Sequence, residues 1–133
     1  MRYLTITTLL FGILISCGQN SGQSKVASIP EIDALKAFPE NFKLLLENDK
    51  VRVLEYTLKP GSKDQIHTHP PKSSYIVTGG RLKVYRDNGE TEIFDEKPGT
   101  ASWMEHVGKH YVENIGATEI KIILTEIKSK GNK

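Results

Sequence analysis

Residues 61–80 read GSKDQIHTHPPKSSYIVTGG. The segment opens on the turn signal Pro60-Gly61 and closes on Gly79-Gly80, with two short strand-like runs between them, Gln65–His69 and Ser74–Thr78. On a strand, residues two apart point to the same face, so His67 and His69 can aim both imidazoles at one ion, at the roughly 2.0–2.1 Å typical of Zn–N bonds. Gln65 shares that parity. The alternative is that the His-X-His, followed by Pro70-Pro71, lies in an exposed loop and binds nothing.

The same alternation of short runs and turns continues on both sides. Runs rich in Val, Ile, Leu, Thr and Tyr occupy Phe42–Glu47, Val51–Leu58, Arg81–Arg86, Glu92–Asp95, Ala101–Glu105, His110–Glu113 and Glu119–Lys128. Asp87-Asn88-Gly89, Pro98-Gly99 and Asn114-Ile115-Gly116 separate them. This spacing predicts an all-β sandwich or barrel. Asn88-Gly89 suits a tight hairpin with positive φ at both central positions. Val51–Leu58 and Glu119–Lys128 carry apolar residues on both parities, which predicts strands covered on both faces, by a second sheet or by a partner in a homodimer. A short helix is expected over residues 31–37, ended by Pro39.

The first 16 residues, MRYLTITTLLFGILIS, hold one charged side chain, Arg2, ahead of a mostly apolar run from Leu4 to Ile15. That run is too short to span a bilayer, which takes about 20 residues, and it has the pattern of a signal peptide. Leu14-Ile15-Ser16-Cys17 resembles a lipobox, the cleavage and lipidation motif of bacterial lipoproteins. The resemblance implies a signal peptide over 1–16, a diacylglycerol on Cys17, and a cell-envelope address, on the periplasmic side of the outer membrane. Residues 17–38 are then a Gly-, Ser- and Gln-rich tether with the short helix, and 39–130 the folded domain. Cys17 is the one cysteine, so no intrachain disulfide can form.

The 133 residues suffice for one domain, and 38% hydrophobic with 26% charged residues is ordinary for a folded protein. A net charge of +2, with lysines scattered along one strand and the tail, lacks the clustered footprint of a nucleic-acid binder.

The histidines sit in two motifs that resemble those of the cupins. Gly61, His67 and His69 fit the first, with Ser73 where the family has a glutamate and Gly80 at its final glycine. Gly99, His110 and Asn114 fit the second; Glu105 replaces its proline and Val107 its glycine. The likeness runs over about residues 44–128, and Ser74–Lys83 and Val112–Glu119 further resemble small cupins associated with β-alanine degradation. It implies a small single-domain cupin, a double-stranded β-helix or jelly-roll barrel, with His67, His69 and His110 on a divalent metal. Without the glutamate the ligand set is neutral and one position opens to water or substrate. Gln65 and His106 are candidates for a compensating ligand, Glu105 for a base beside the site, and Ser73, Tyr75, Trp103 and Tyr56 for the pocket wall. Three imidazoles suit Zn, Fe(II), Ni, Mn or Cu better than Mg or Ca; the family's three-histidine members that oxygenate thiols have such a set.

Three functions follow. One is a metal-dependent enzyme acting on a small organic molecule, by oxygen chemistry or metal-assisted hydrolysis. The second is a noncatalytic module holding a small ligand or metal. The third is a metal-free barrel used for protein contacts.

Overall fold

The computed structural model describes residues 32–128. The signal segment, Cys17 and the tether up to residue 31 lie outside the described residues. Nine strands follow one short helix: α1 (Ala34–Ala37), β1 (Phe42–Glu47), β2 (Val51–Leu58), β3 (His67–His69), β4 (Lys72–Thr78), β5 (Gly80–Arg86), β6 (Thr91–Glu96), β7 (Ala101–Met104), β8 (Val107–Asn114) and β9 (Ile120–Ile127).

The strands form two antiparallel sheets, one ordered β1-β2-β9-β4-β7 and one ordered β3-β8-β5-β6. Their facing sides hold the apolar residues. Register pairs Leu54 with Leu124, Tyr56 with Ile122 and Leu58 with Ile120. Phe42, Ile76, Leu82 and Val112 close the core from the neighbouring strands. β2 and β9 alternate buried with half-buried positions instead of being covered on both faces. The second parity, with Val53 and Ile123, forms the outer face of the five-stranded sheet.

The helix is shorter than expected. It begins at Ala34, with Asp33 as its N-cap accepting from the Lys36 amide. Ile32 and Asp33 are drawn into an extended bridge to Thr68 instead. The β5–β6 hairpin also departs from expectation. Gly89 has φ of 86°, but Asn88 does not take a positive φ. The loop is the three-residue Asp87-Asn88-Gly89, closed between Arg86 and Glu90, with the left-handed residue last. The Asn88 side chain accepts from the Glu90 amide at 3.0 Å, a local bond typical of Asn in turns. At Gly79 the limit is space, because a Cβ there would lie 2.2 Å from the Glu96 carbonyl oxygen.

Asn114 is fully buried and ties the end of β2 to the connection between β8 and β9. Its Nδ2 donates to the carbonyls of Leu58 and Thr118, both at 2.8 Å, and its Oδ1 accepts from the Gly116 amide. It acts as a structural pin and stands outside the histidine cluster.

Candidate metal centre

β3 pairs with β8, and His67 lies directly opposite His110 in register. Directly opposed residues share a sheet face, and His69 returns to that face two positions on. The three rings therefore meet inside the barrel, with centroids 4.4 Å (His67–His110), 4.7 Å (His67–His69) and 5.5 Å (His69–His110) apart. One ring nitrogen from each lies within 4.8 Å of the others. All three side chains are buried.

Hydrogen bonds at the far nitrogens set the tautomers. His67 Nδ1 lies 2.6 Å from the Gln65 carbonyl oxygen and His110 Nδ1 lies 2.8 Å from that of Gly108. A carbonyl only accepts, so both nitrogens carry the proton. His69 Nδ1 donates to Glu126 Oε1 at 2.6 Å. Burial lowers the pKa of all three rings, most strongly that of His69, and takes His110 down to about 4. At neutral pH each ring is thus uncharged, with a bare Nε2 turned inward.

Two of those bare nitrogens, on His67 and His69, stand 3.1 Å apart. Two lone pairs at that distance repel each other unless a cation lies between them. Two nitrogens each about 2.1 Å from one ion, at octahedral to tetrahedral angles, are separated by about 3.0–3.4 Å. The donor set therefore fits a divalent transition metal.

Glu126 is the residue that reasoning from the sequence missed. Its carboxylate is 1% exposed, accepting from His69 through Oε1 and from Arg52 Nε and NH2 through Oε2, at 2.8 and 2.6 Å. Burial raises its pKa, and Arg52 opposes that rise. Arg52 in turn pairs with Asp33 at 2.7 Å. A carboxylate behind a ligating imidazole fixes the ring and raises its basicity. The signal was present in the strand: Ile120, Ile122, Leu124 and Glu126 share one parity, so an acid occupies a core-facing position.

Several expected site residues stand elsewhere. Gln65 is exposed and reaches the cluster only through its backbone carbonyl. His106 is exposed in the turn before β8, because the pairing shifts from His67↔His110 to His69↔Val107. The extra residue on β8 breaks the parity that His106 would need. Glu105 is exposed and accepts from the Trp103 indole at 2.8 Å. Ser73, Tyr75 and Trp103 do not line the pocket. Ser73 pairs with Trp103 and Tyr75 with Ala101 on the outer sheet face, where Tyr75 and Trp103 are half exposed.

The inward positions of β4 are Lys72, Ser74 and Ile76. Ser73, which the resemblance sets at the family's glutamate, faces outward, and the inward residue beside it is Ser74, which is likewise neutral. With the histidines, these residues line a cavity of about 90 Å³ that also meets Tyr56, Asp64, Glu96 and Met104. Asp64 stands beside His67, with its Oδ2 4.0 Å from His67 Nδ1. It accepts from the Tyr56 hydroxyl at 2.8 Å and the Val112 amide at 2.6 Å, and burial pushes its pKa up to about 6.

No protein-family model matches the chain. Among solved structures, a cupin domain from Bordetella pertussis Tohama I is 24% identical with a TM-score of 0.61, over 66% of this chain and 92% of that one. An RmlC-like cupin family protein with a double-stranded β-helix fold from Methanocaldococcus jannaschii is 15% identical with a TM-score of 0.54, over 65% and 77%. A predicted oxalate decarboxylase from Thermotoga maritima is 23% identical with a TM-score of 0.50, over 66% and 79%. Among curated proteins, an oxalate decarboxylase of Bacillus subtilis is 32% identical over 63 residues, which are 45% of this chain and 16% of that protein. The fold is that of a small jelly-roll cupin domain.

Proposed function

We propose that this chain is a metal-binding cupin of the bacterial cell envelope. It holds one divalent transition metal through His67, His69 and His110, and binds or transforms a small organic molecule in the adjoining cavity. The observation that carries the reading is the 3.1 Å approach of two Nε2 atoms whose rings each donate through Nδ1. Such an ion would supply Lewis-acid polarisation of a bound oxygen or a water of lowered pKa. The chain's own part is to hold three neutral imidazoles in one tautomer, to set the carboxylate of Glu126 behind one of them, and to keep the cavity narrow and largely apolar.

The expected result is about one zinc, iron, nickel, manganese or copper ion per chain after purification or reconstitution, measured by elemental analysis. Replacing His67 and His69 together by alanine removes it. A protein that takes up no metal under either condition overturns the reading.

A noncatalytic holding module is the second reading. It is favoured by the absence of an acidic side chain at the Ser74 place, which leaves the ligand set without a charge of its own. Turnover of candidate substrates, followed with oxygen uptake, separates it from an enzyme. The likeness to cupins associated with β-alanine degradation rests on two sequence stretches, and a homodimer would use the outer sheet face where Tyr75 and Trp103 stand.

The envelope address rests on the motif ending at Cys17, which lies outside the described residues. Cells expressing Cys17→Ser should release the protein from the membrane fraction and show no lipid label on it. Lipid labelling of that variant overturns the anchor.

A further inference from the structure

β4 carries a lysine into the barrel. Lys72 is 7% exposed, and its ammonium donates to Ser74 Oγ at 3.1 Å. That is one of its three donors, and among the described residues it makes no ion pair. Glu126, its register partner on β9, has both oxygens engaged by His69 and Arg52. Glu96 also lines the cavity but makes no ion pair with it, and Asp64 is engaged by the Tyr56 hydroxyl and the Val112 amide. Arg86, the other cation on the wall, already pairs with Glu92.

A buried ammonium that makes no direct ion pair is costly to desolvate, and interiors rarely keep one that nothing completes. The inward position beside the family's glutamate place is here the neutral Ser74, and two residues earlier stands a cation. The carboxylates nearest to it, Glu126 and Glu96, act on Lys72 through their fields without pairing with it, and a divalent ion on the three uncharged imidazoles would add further positive charge to the cavity.

We propose that the cavity selects a small carboxylate anion, received by Lys72 Nζ and Ser74 Oγ next to the three-histidine site. The inference deepens the functional reading above and rests on it for the metal, while the role of Lys72 stands on its own geometry. At about 90 Å³ the cavity takes a molecule of a few heavy atoms, so the class is a short-chain monocarboxylate or a comparably small acid. Its methylene part would lie against the apolar wall of Ile76 and Met104.

The test is a calorimetric titration of the purified protein, zinc-loaded and metal-free, with propionate and with its neutral isostere propionamide. Wild-type protein should bind propionate at least tenfold tighter than propionamide. Lys72→Met should lose that preference while keeping its zinc content, and Ser74→Ala should weaken propionate by a smaller factor. Equal affinity for acid and amide in the wild type, propionate binding undiminished in Lys72→Met, or loss of zinc from that variant each overturn the proposal. If the wild type takes up no zinc, the metal reading fails alone. The metal-free comparison then decides: Lys72-dependent propionate binding supports the proposal, and its absence overturns it.

Discussion

Lys72→Met should stabilise the metal-free domain, by about 2–3 kcal/mol at pH 7. Burial pushes the Lys72 ammonium down to about 8 from an ordinary 10.5. That displacement corresponds to roughly 3 kcal/mol of penalty for holding the proton in the folded state. The sign follows from the proton balance. Between pH 8 and 10.5 the unfolded chain keeps a proton that the folded chain has shed, so stability rises with pH across that window. Below pH 8 both states are charged and the full penalty is present. Methionine keeps an unbranched apolar chain of similar length and carries no charge. Against the gain stands the hydrogen bond to Ser74, worth about 0.5–1.5 kcal/mol, which leaves the net clearly favourable. Urea denaturation in the presence of a chelator should show the variant more stable at pH 7 and the gap closing towards pH 10.5. A variant that is less stable at pH 7, or a gap independent of pH, refutes the assignment of an uncompensated charge. A core-facing charge retained at that cost is consistent with a ligand-binding role, since proteins hold destabilising groups chiefly where function uses them.

Much of this site was legible because strand parity is a strict code. Two of the strands, Phe42–Glu47 and Val51–Leu58, have the bounds that turn residues and apolar runs predict. The convergence of His67 and His69 needs only the two-residue period. What escaped the sequence depended on events that shift parity or cross the barrel. The bulge opposite His69 moves His106 out to solvent, and no residue type around Gly108 announces on which side the extra residue falls. The choice of Ser73 over Ser74 was an error of one position, and one position on a strand exchanges the cavity for the outer surface. Tyr75 and Trp103, expected in the pocket wall, share that outer parity with Ser73. Lys72 and Glu126 were readable in principle, as polar residues in phase with Ile76 and with Ile122 and Leu124. Their pairing across β4 and β9 and the link from Glu126 to His69 required the register of the whole sheet.

The second large effect is on the metal itself. Glu126→Gln should weaken zinc binding by about 10–100-fold, the range found when a carboxylate behind a ligating histidine is removed. Glutamine is nearly isosteric, and its amide oxygen can still accept from His69 Nδ1, so the ring keeps its tautomer. What disappears is the negative charge 2.6 Å from that nitrogen, which draws the proton and makes the opposite Nε2 a better donor. The loss weighs more here than in a site with an acidic ligand, because the three imidazoles contribute no charge and Lys72 opposes a cation. Fold stability should fall by less than the 3–5 kcal/mol typical of stripping one partner from a buried pair. Arg52 retains Asp33 at 2.7 Å, and its side chain is 16% exposed, so its charge is not stranded. Asp33→Asn, one link further along the same chain of contacts, should change zinc affinity less, because the contact between Arg52 and Glu126 persists. Competition against a chromogenic chelator measures both variants, with denaturant midpoints of the metal-free forms as the control for folding. Unchanged zinc affinity in Glu126→Gln, with the fold intact, would show that the buried carboxylate serves Arg52 and the barrel rather than the metal. A graded loss from Asp33 to Glu126 to His69 instead ties the N-cap of α1 to the centre of the site.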